Sequence, residues 1–468
     1  METARRSADS VIVRFLLASG LIFTLLGLFG GLPAGANMGS FVIGLVVLFL
    51  AIVAFLGFGW YAIVKPLPAN LAPSKKLPLS HALRQGMAIF LTIMSMVGVA
   101  GGLWDITWHV HSGIPFGEDF FWQPHQFIYA ALFAPIAIAA FVWFRFMRNS
   151  SGIMRQRFNA DVPVTLIFLG GLSMLFILPA DPLWHLIYGE DLTGLSVPHF
   201  VFNVSTFLSL IGTLSILISY TPVRTQWESL FKIRGVELLM VSSLAFILIS
   251  MLMPTIGDWE AIALQTHALP RLPALVAERP DWSMPFLAAF VAIFTTTIAL
   301  RITKRVGTAT LVWLIASVAR SLLFLAFGYG DTGMNTMFLI LPFVVAVDIA
   351  AWVRASRNKP PSAVLTAAIA TVAGAVAVLP QIALSFTDPV LSAGNIPLMV
   401  VAMFGGALLS SWMSGVLGDA VVRTVRFEVP QEQPTIAASV MRAMSLFAVA
   451  IVGVAVFFMA TATMPGGM

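Results

Sequence analysis

Apolar runs about as long as a bilayer is thick follow one another along almost the whole chain, and no other feature restricts its fold so severely. A helix needs about 20 apolar residues to cross the hydrocarbon core. In lipid every backbone N–H and C=O must be satisfied, which leaves helices and closed barrels. Thirteen such runs are read at 11–31, 39–64, 84–104, 126–147, 163–180, 200–221, 235–255, 284–302, 308–328, 335–354, 362–386, 395–418 and 437–460. None shows the alternation of a membrane barrel strand, and the first is too long, and too closely followed by a second span, to be a cleaved leader. The chain is 59% hydrophobic and 10% charged, with a mean hydropathy of +0.94, outside the range of a soluble domain. The expected fold is all-α: a polytopic helical membrane protein of about 13 transmembrane helices.

Loop charges test that reading. With the N-terminus inside, the inner segments carry Arg5 and Arg6; Lys65, Lys75 and Lys76; Arg145, Arg148, Arg155 and Arg157; Arg224, Lys232 and Arg234; Arg301, Lys304 and Arg305; Arg354, Arg357 and Lys359; and Arg423 and Arg426. The outer connections lack Lys and Arg, apart from Arg271 and Arg279 in the long 256–283 loop. This alternation satisfies the positive-inside rule. It implies a multi-pass protein of the cytoplasmic membrane, N-terminus inside and C-terminus outside. The net charge of +5 is scattered one cluster per loop, so it marks topology and excludes a nucleic-acid surface.

Two outer connections share one pattern. Residues 104–125 read WDITWHVHSGIPFGEDFFWQPH and residues 181–199 read DPLWHLIYGEDLTGLSVPH, both Asp-x-x-Trp-His, a polar loop, then Pro-His. Five of the chain's seven histidines fall in these two stretches. The copies lie between the third and fourth spans and between the fifth and sixth, in one orientation. A two-helix unit duplicated by translation is expected, not the inverted repeat of many transporters.

Asp105 and His109 are one helical turn apart and share a face, while His125 follows a proline where the next helix opens. Asp181, His185 and His199 repeat the arrangement. Neighbouring helices bring two imidazoles and a carboxylate together, a donor set that suits copper, zinc, iron or manganese and not calcium or magnesium. Each residue alone has a plainer reading: an interfacial histidine beside a belt tryptophan, or, at Asp181-Pro182, a helix N-cap. The repetition of the whole triplet, at a depth where ionisable groups are costly, favours the metal.

These residues resemble the C subunit of the copper membrane monooxygenases, the particulate methane and ammonia monooxygenases. The shared features are Asp-x-x-x-His, a loop, a later His opening the next span in an aromatic-Pro context (FWQPHQFIY), and a second triplet one pair of spans downstream. The similarity covers about residues 84–222. In the family the first triplet is Asp, His, His and the second Asn, His, His, so Asp181 departs from the pattern, and the first loop is a few residues longer. The resemblance implies copper at Asp105, His109 and His125 and at Asp181, His185 and His199. It also implies reduction, dioxygen, and oxidation of a small apolar substrate arriving from the bilayer. His111, Glu118, Asp119 and Glu190 become second-layer or proton-handling candidates, and Trp104, Trp108, Trp122 and Trp184 candidate walls. Further monooxygenase-type subunits or a homo-oligomer are the expected partners.

On this reading residues 1–80 hold two N-terminal spans, 81–222 the site-bearing four-helix unit, and 223–468 an additional six- to seven-helix bundle outside the resemblance. Arg320 and Asp348, in neighbouring spans nine and ten, are expected to form an intramembrane ion pair, with snorkelling to the nearer interface as the alternative. His267 is a weaker ligand candidate and His81 reads as an ordinary loop residue. Two other function classes stay open: a transporter or metal-handling protein, and an assembly subunit with non-catalytic metal sites. A transporter needs its ligands along a path near the midplane, whereas these cluster at one face.

Overall fold

The computed structural model describes residues 79–112, 123–148, 152–188, 197–221, 224–233, 235–253, 282–326, 334–380 and 394–426, with single positions between 46 and 62. These residues build α1 (His81–Ser112), α2 (Gln123–Val142), the short α3 (Met154–Ala160), α4 (Val162–Tyr188) and α5 (Val197–Ser219). The second half holds α6 (Gly235–Leu252), α7 (Ser283–Thr303), α8 (Thr308–Ala326), α9 (Met334–Ala355), α10 (Ala363–Ala373) and α11 (Ile396–Arg426). The chain is therefore all-α, and eight of the described helices are long and apolar enough to cross a membrane. The expected runs from 84–104 to 395–418 each coincide with one helix, α10 being continued by a π turn over Gly374–Val378. Runs 11–31 and 437–460 lie outside the described residues, and 39–64 is described only at single positions.

The basic loops gather at one end of the bundle. Arg84 at the start of α1 meets Asp161 at the start of α4 through two contacts, Nε–Oδ2 at 2.9 Å and Nη2–Oδ1 at 3.0 Å, both side chains buried. His81 Nδ1 lies 3.1 Å from the hydroxyl of Tyr220, just past α5. Arg224 pairs with Glu237 on the first turn of α6 and donates to the Thr303 carbonyl at the end of α7. Arg301 pairs with Asp419 of α11 at 3.1 Å and donates to the Pro361 carbonyl before α10. Two short strands, β1 (Glu228–Ser229) and β2 (Arg305–Val306), pair in parallel and tie two of these loops together. The loops that the charge pattern placed on one side are thus joined to one another in space.

Small residues set how closely the helices pack, since in lipid association rests on van der Waals contact and not on the hydrophobic effect. A Cβ on Gly406 of α11 would stand 2.5 Å from the Phe286 carbonyl oxygen of α7, and one turn further Ser410 donates to the Phe290 carbonyl at 2.6 Å. In the site-bearing unit α1 packs on α2, α2 on α4, α4 on α5 and α5 back on α1, a closed four-helix ring.

The expected Arg320–Asp348 pair is replaced by a different contact. Asp348 Oδ1 accepts from the N–H of Gly307 at 2.9 Å and of Ala309 at 3.4 Å. Its Oδ2 accepts from the Thr310 N–H at 2.8 Å and hydroxyl at 2.7 Å. The carboxylate therefore caps the first turn of α8, where unsatisfied amides and the positive end of the helix dipole converge. Arg320 lies ten residues further along α8, roughly 15 Å away along the axis, with its guanidinium 5.2 Å over the Phe324 ring. Both are buried within the bundle.

Candidate metal site

The apolar part of α1 ends at Asp105, and the helix continues for two further turns through His109 and His111. Opposite, α2 opens Gln123-Pro124-His125. Proline in a first helical turn sacrifices no hydrogen bond, because its missing N–H is one of the four without an intrahelical partner. The two helices converge one turn below: a Cβ on Gly101 would lie 2.7 Å from Phe127 Cβ and 3.0 Å from the Pro124 carbonyl, and one on Gly98 would lie 2.5 Å from Ala131 Cβ. Gly98, Gly101 and Asp105 follow one another at spacings of three and four residues, so the glycines sit on the stripe that carries the carboxylate.

That approach brings His125 Nε2 to 3.0 Å from Asp105 Oδ1, with side-chain exposures of 16% and 11%. Two ligands at roughly 2.0–2.2 Å from a common first-row metal stand about 3.3–3.6 Å apart at the tetrahedral angle and about 2.8–3.1 Å apart at 90°, so the separation, which is also that of a direct ion pair, fits the 90° edge of a coordination shell. The surroundings are aromatic. Buried Trp104 lies 6.1 Å from the Phe127 ring, and the His125 ring 6.0 Å from that of Tyr129.

His109 and His111 are placed by backbone alone, on α1 beyond Asp105. Among the described residues no third histidine or carboxylate joins the pair. Glu118, Asp119, Trp122 and His267 lie outside the described residues.

The second copy sits on α4 and α5, at the same end of the ring. Asp181, His185 and His199 are placed by backbone: Asp181 and His185 one turn apart near the end of α4, His199 in the first turn of α5 after Pro198. Asp181 lies inside α4, which runs on to Tyr188 through Pro179 and Pro182. It is therefore not a helix N-cap, and the plainer reading of Asp-Pro is removed. Trp184 is buried and Glu190 lies outside the described residues.

The helix contact below the second triplet is of a different kind. Ser205, six residues after His199, takes the place of Ala131, six after His125, and accepts a 2.8 Å hydrogen bond from the hydroxyl of Ser173 on α4. Ser173 stands eight residues before Asp181, whereas Gly98 stands seven before Asp105, and Met174 and Ile177 occupy the positions of Gly98 and Gly101, so the close glycine approach of α1 and α2 is not repeated.

Sequence reasoning missed the charged groups at the other end. Arg84, Asp161, Arg224, Glu237 and Arg305 were legible only as topology markers or not at all, yet all are buried. The available signal was the carboxylates: Asp161 and Glu237 each open an apolar helix, where an unpaired charge is expensive. Half-exposed Glu228 accepts from Arg224 at 3.1 Å, and that hydrogen bond holds its carboxyl below the usual value of 4.5. Tyr220 is pushed above 10.0 by burial. No family model, curated protein or solved structure matches this chain.

Proposed function

We propose that this protein is a copper-dependent membrane monooxygenase-like protein, or a subunit of one, with metal bound at the ends of the two repeated helix pairs. Asp105, His109 and His125 hold one ion, and Asp181, His185 and His199 a second. The observation that carries the reading is the 3.0 Å approach of a carboxylate and an imidazole from neighbouring helices, at the place where the repeated motif calls for a shared ion. The donor set fits copper, with zinc and iron as the alternatives.

Copper held there supplies, once reduced, the activation of dioxygen needed to oxidise a small apolar substrate that arrives through the lipid. The chain's own contribution is to fix the ligands, to exclude water with buried Trp104 and Trp184, and to move protons through His111, Glu118, Asp119 and Glu190. In this reading the protein spans the cytoplasmic membrane thirteen times with its N-terminus inside. The metal faces the extracytoplasmic side, and the partners are further subunits of the same type or other copies of the chain.

Elemental mass spectrometry on protein purified in mild detergent, never exposed to chelator, tests this. Copper near one or two equivalents, falling stepwise in His109→Ala and His185→Ala, supports two independent sites. Zinc alone moves the assignment to a structural or hydrolytic centre. No metal at all ends the enzyme reading and leaves Asp105–His125 as an interhelical contact.

A further inference from the structure

The turn between α5 and α6 displays one aromatic side chain in an unusual way. Residues Leu230–Lys232 form a single 3-10 turn directly after β1. Phe231 at its centre is 98% exposed, while Trp227, Leu230 and Ile233 are partly buried.

The display is rigid. Buried Arg305 donates from Nη1 to the Ser229 carbonyl at 2.8 Å and from Nη2 to the Lys232 carbonyl at 2.6 Å, holding the turn at both ends. The same guanidinium pairs with Glu228 at 3.0 Å and Glu237 at 3.2 Å, and β1–β2 pairing fixes the preceding residues. A loop fastened by this many charge-assisted bonds cannot fold Phe231 back onto the protein. Exposing a phenylalanine to water forgoes the burial that would otherwise stabilise it.

Helix length says what covers it. The span Gly235–Leu252 has 18 residues, about 27 Å of helix against a hydrocarbon core of about 30 Å, so Gly235 has to sit at the edge of that core. Phe231 is four residues earlier, no more than roughly 14 Å away even if the chain were fully extended. Exposed Gly235 and Leu238, 43% exposed, place this end of α6 on the perimeter of the bundle. Exposed Lys232 adjoins Phe231, and Arg234 follows in the sequence.

We propose that Phe231 and Lys232 form a lipid anchor at the basic end of the bundle. The ring enters the boundary between headgroups and acyl chains, and the ammonium rests on an anionic headgroup phosphate. The clamp on Arg305 ties this contact to the ends of α6 and α8.

The chain has no cysteine, so a single introduced cysteine can be labelled alone. Phe231→Cys and, as a water-facing control at the same end, exposed Arg357→Cys are labelled with a nitroxide and reconstituted into vesicles of phosphatidylcholine with or without phosphatidylserine. The expected result is that the label at 231 is open to dissolved oxygen and at least about threefold less open to a water-soluble nickel chelate than the label at 357. The shielding should grow with phosphatidylserine and lose that growth in Lys232→Gln. Equal access of the chelate at both positions places Phe231 in water and overturns the anchor. Shielding from both reagents means that protein covers it, a second copy or another partner, and overturns it equally. Shielding indifferent to phosphatidylserine overturns the role of Lys232.

Discussion

Asp105 and His125 stand on different helices, twenty residues apart in the chain, and their side chains meet at 3.0 Å. The meeting is prepared one turn below, where Gly101 lets the backbone of α1 reach that of α2. The geometry of the site is therefore a packing property of the helix pair as much as a property of its ligands.

Gly101→Val tests that dependence. The new side chain meets Phe127 and the Pro124 carbonyl, at 2.7 and 3.0 Å from its Cβ, and has to push α2 away. Overpacking of this kind costs about 1–3 kcal/mol. Thermal unfolding in detergent should show the loss, and copper content should fall although no ligand has changed. Copper retained in full would show that the ligands do not need this approach.

The Arg84–Asp161 pair is buried on both sides, so removing one partner leaves a stranded charge. Asp161→Leu should destabilise the protein by about 3–5 kcal/mol, and Arg84→Met with Asp161→Leu should recover most of that loss. Denaturant titration of the two variants checks it. A double variant as unstable as the single one would contradict the charge argument.

Asp348→Ala removes the acceptor of three N–H groups and one hydroxyl at the start of α8. Leaving buried donors unmet costs about 1–3 kcal/mol. Hydrogen exchange at Ala309 and Thr310 should accelerate. Arg320→Met should leave those two amides unchanged, because the arginine is not the partner of this carboxylate. Acceleration in both variants would restore the ion pair expected from the sequence.

Glu228 gives a pH dependence with a definite sign. Its folded value is lowered from 4.5 by the hydrogen bond from Arg224 and by the charges of Arg224, Arg305 and Lys232. A carboxylate with a depressed folded value stabilises the protein above its unfolded value, and that stabilisation is lost as pH falls through the folded value. The side chain is 40% exposed, so screening keeps the effect under about 1 kcal/mol. Melting temperature below pH 4.5 should fall more steeply in the wild type than in Glu228→Gln. Parallel slopes would remove Glu228 from the acid response.

The fold was legible because lipid admits few solutions: run length gave α1, α2 and α4 to α11, and loop charge gave which ends lie together. The short α3, seven residues from Met154 to Ala160, was not legible, since it is too short and too polar to register as a span. At the site the residue types and spacing named Asp105 and His125, and their contact is present. What spacing could not reveal is competition between partners. Asp348 and Arg320 fall in adjacent helices, but the free amides of α8 are nearer to the carboxylate and take it. Arg224, Arg301 and Arg305 were read only as topology markers for the same reason: charge counting registers the sign of a loop and not whether Glu237 or Asp419 stands beside it.

Copper stoichiometry in Asp105→Ala, His125→Ala, the two combined, and Asp181→Ala decides whether the meeting of Asp105 and His125 is a metal site. If it is, each of the first two loses the same single equivalent, their combination loses no more, and Asp181→Ala loses a different one. Wild-type copper in Asp105→Ala and His125→Ala alike would show that the 3.0 Å contact only joins two helices.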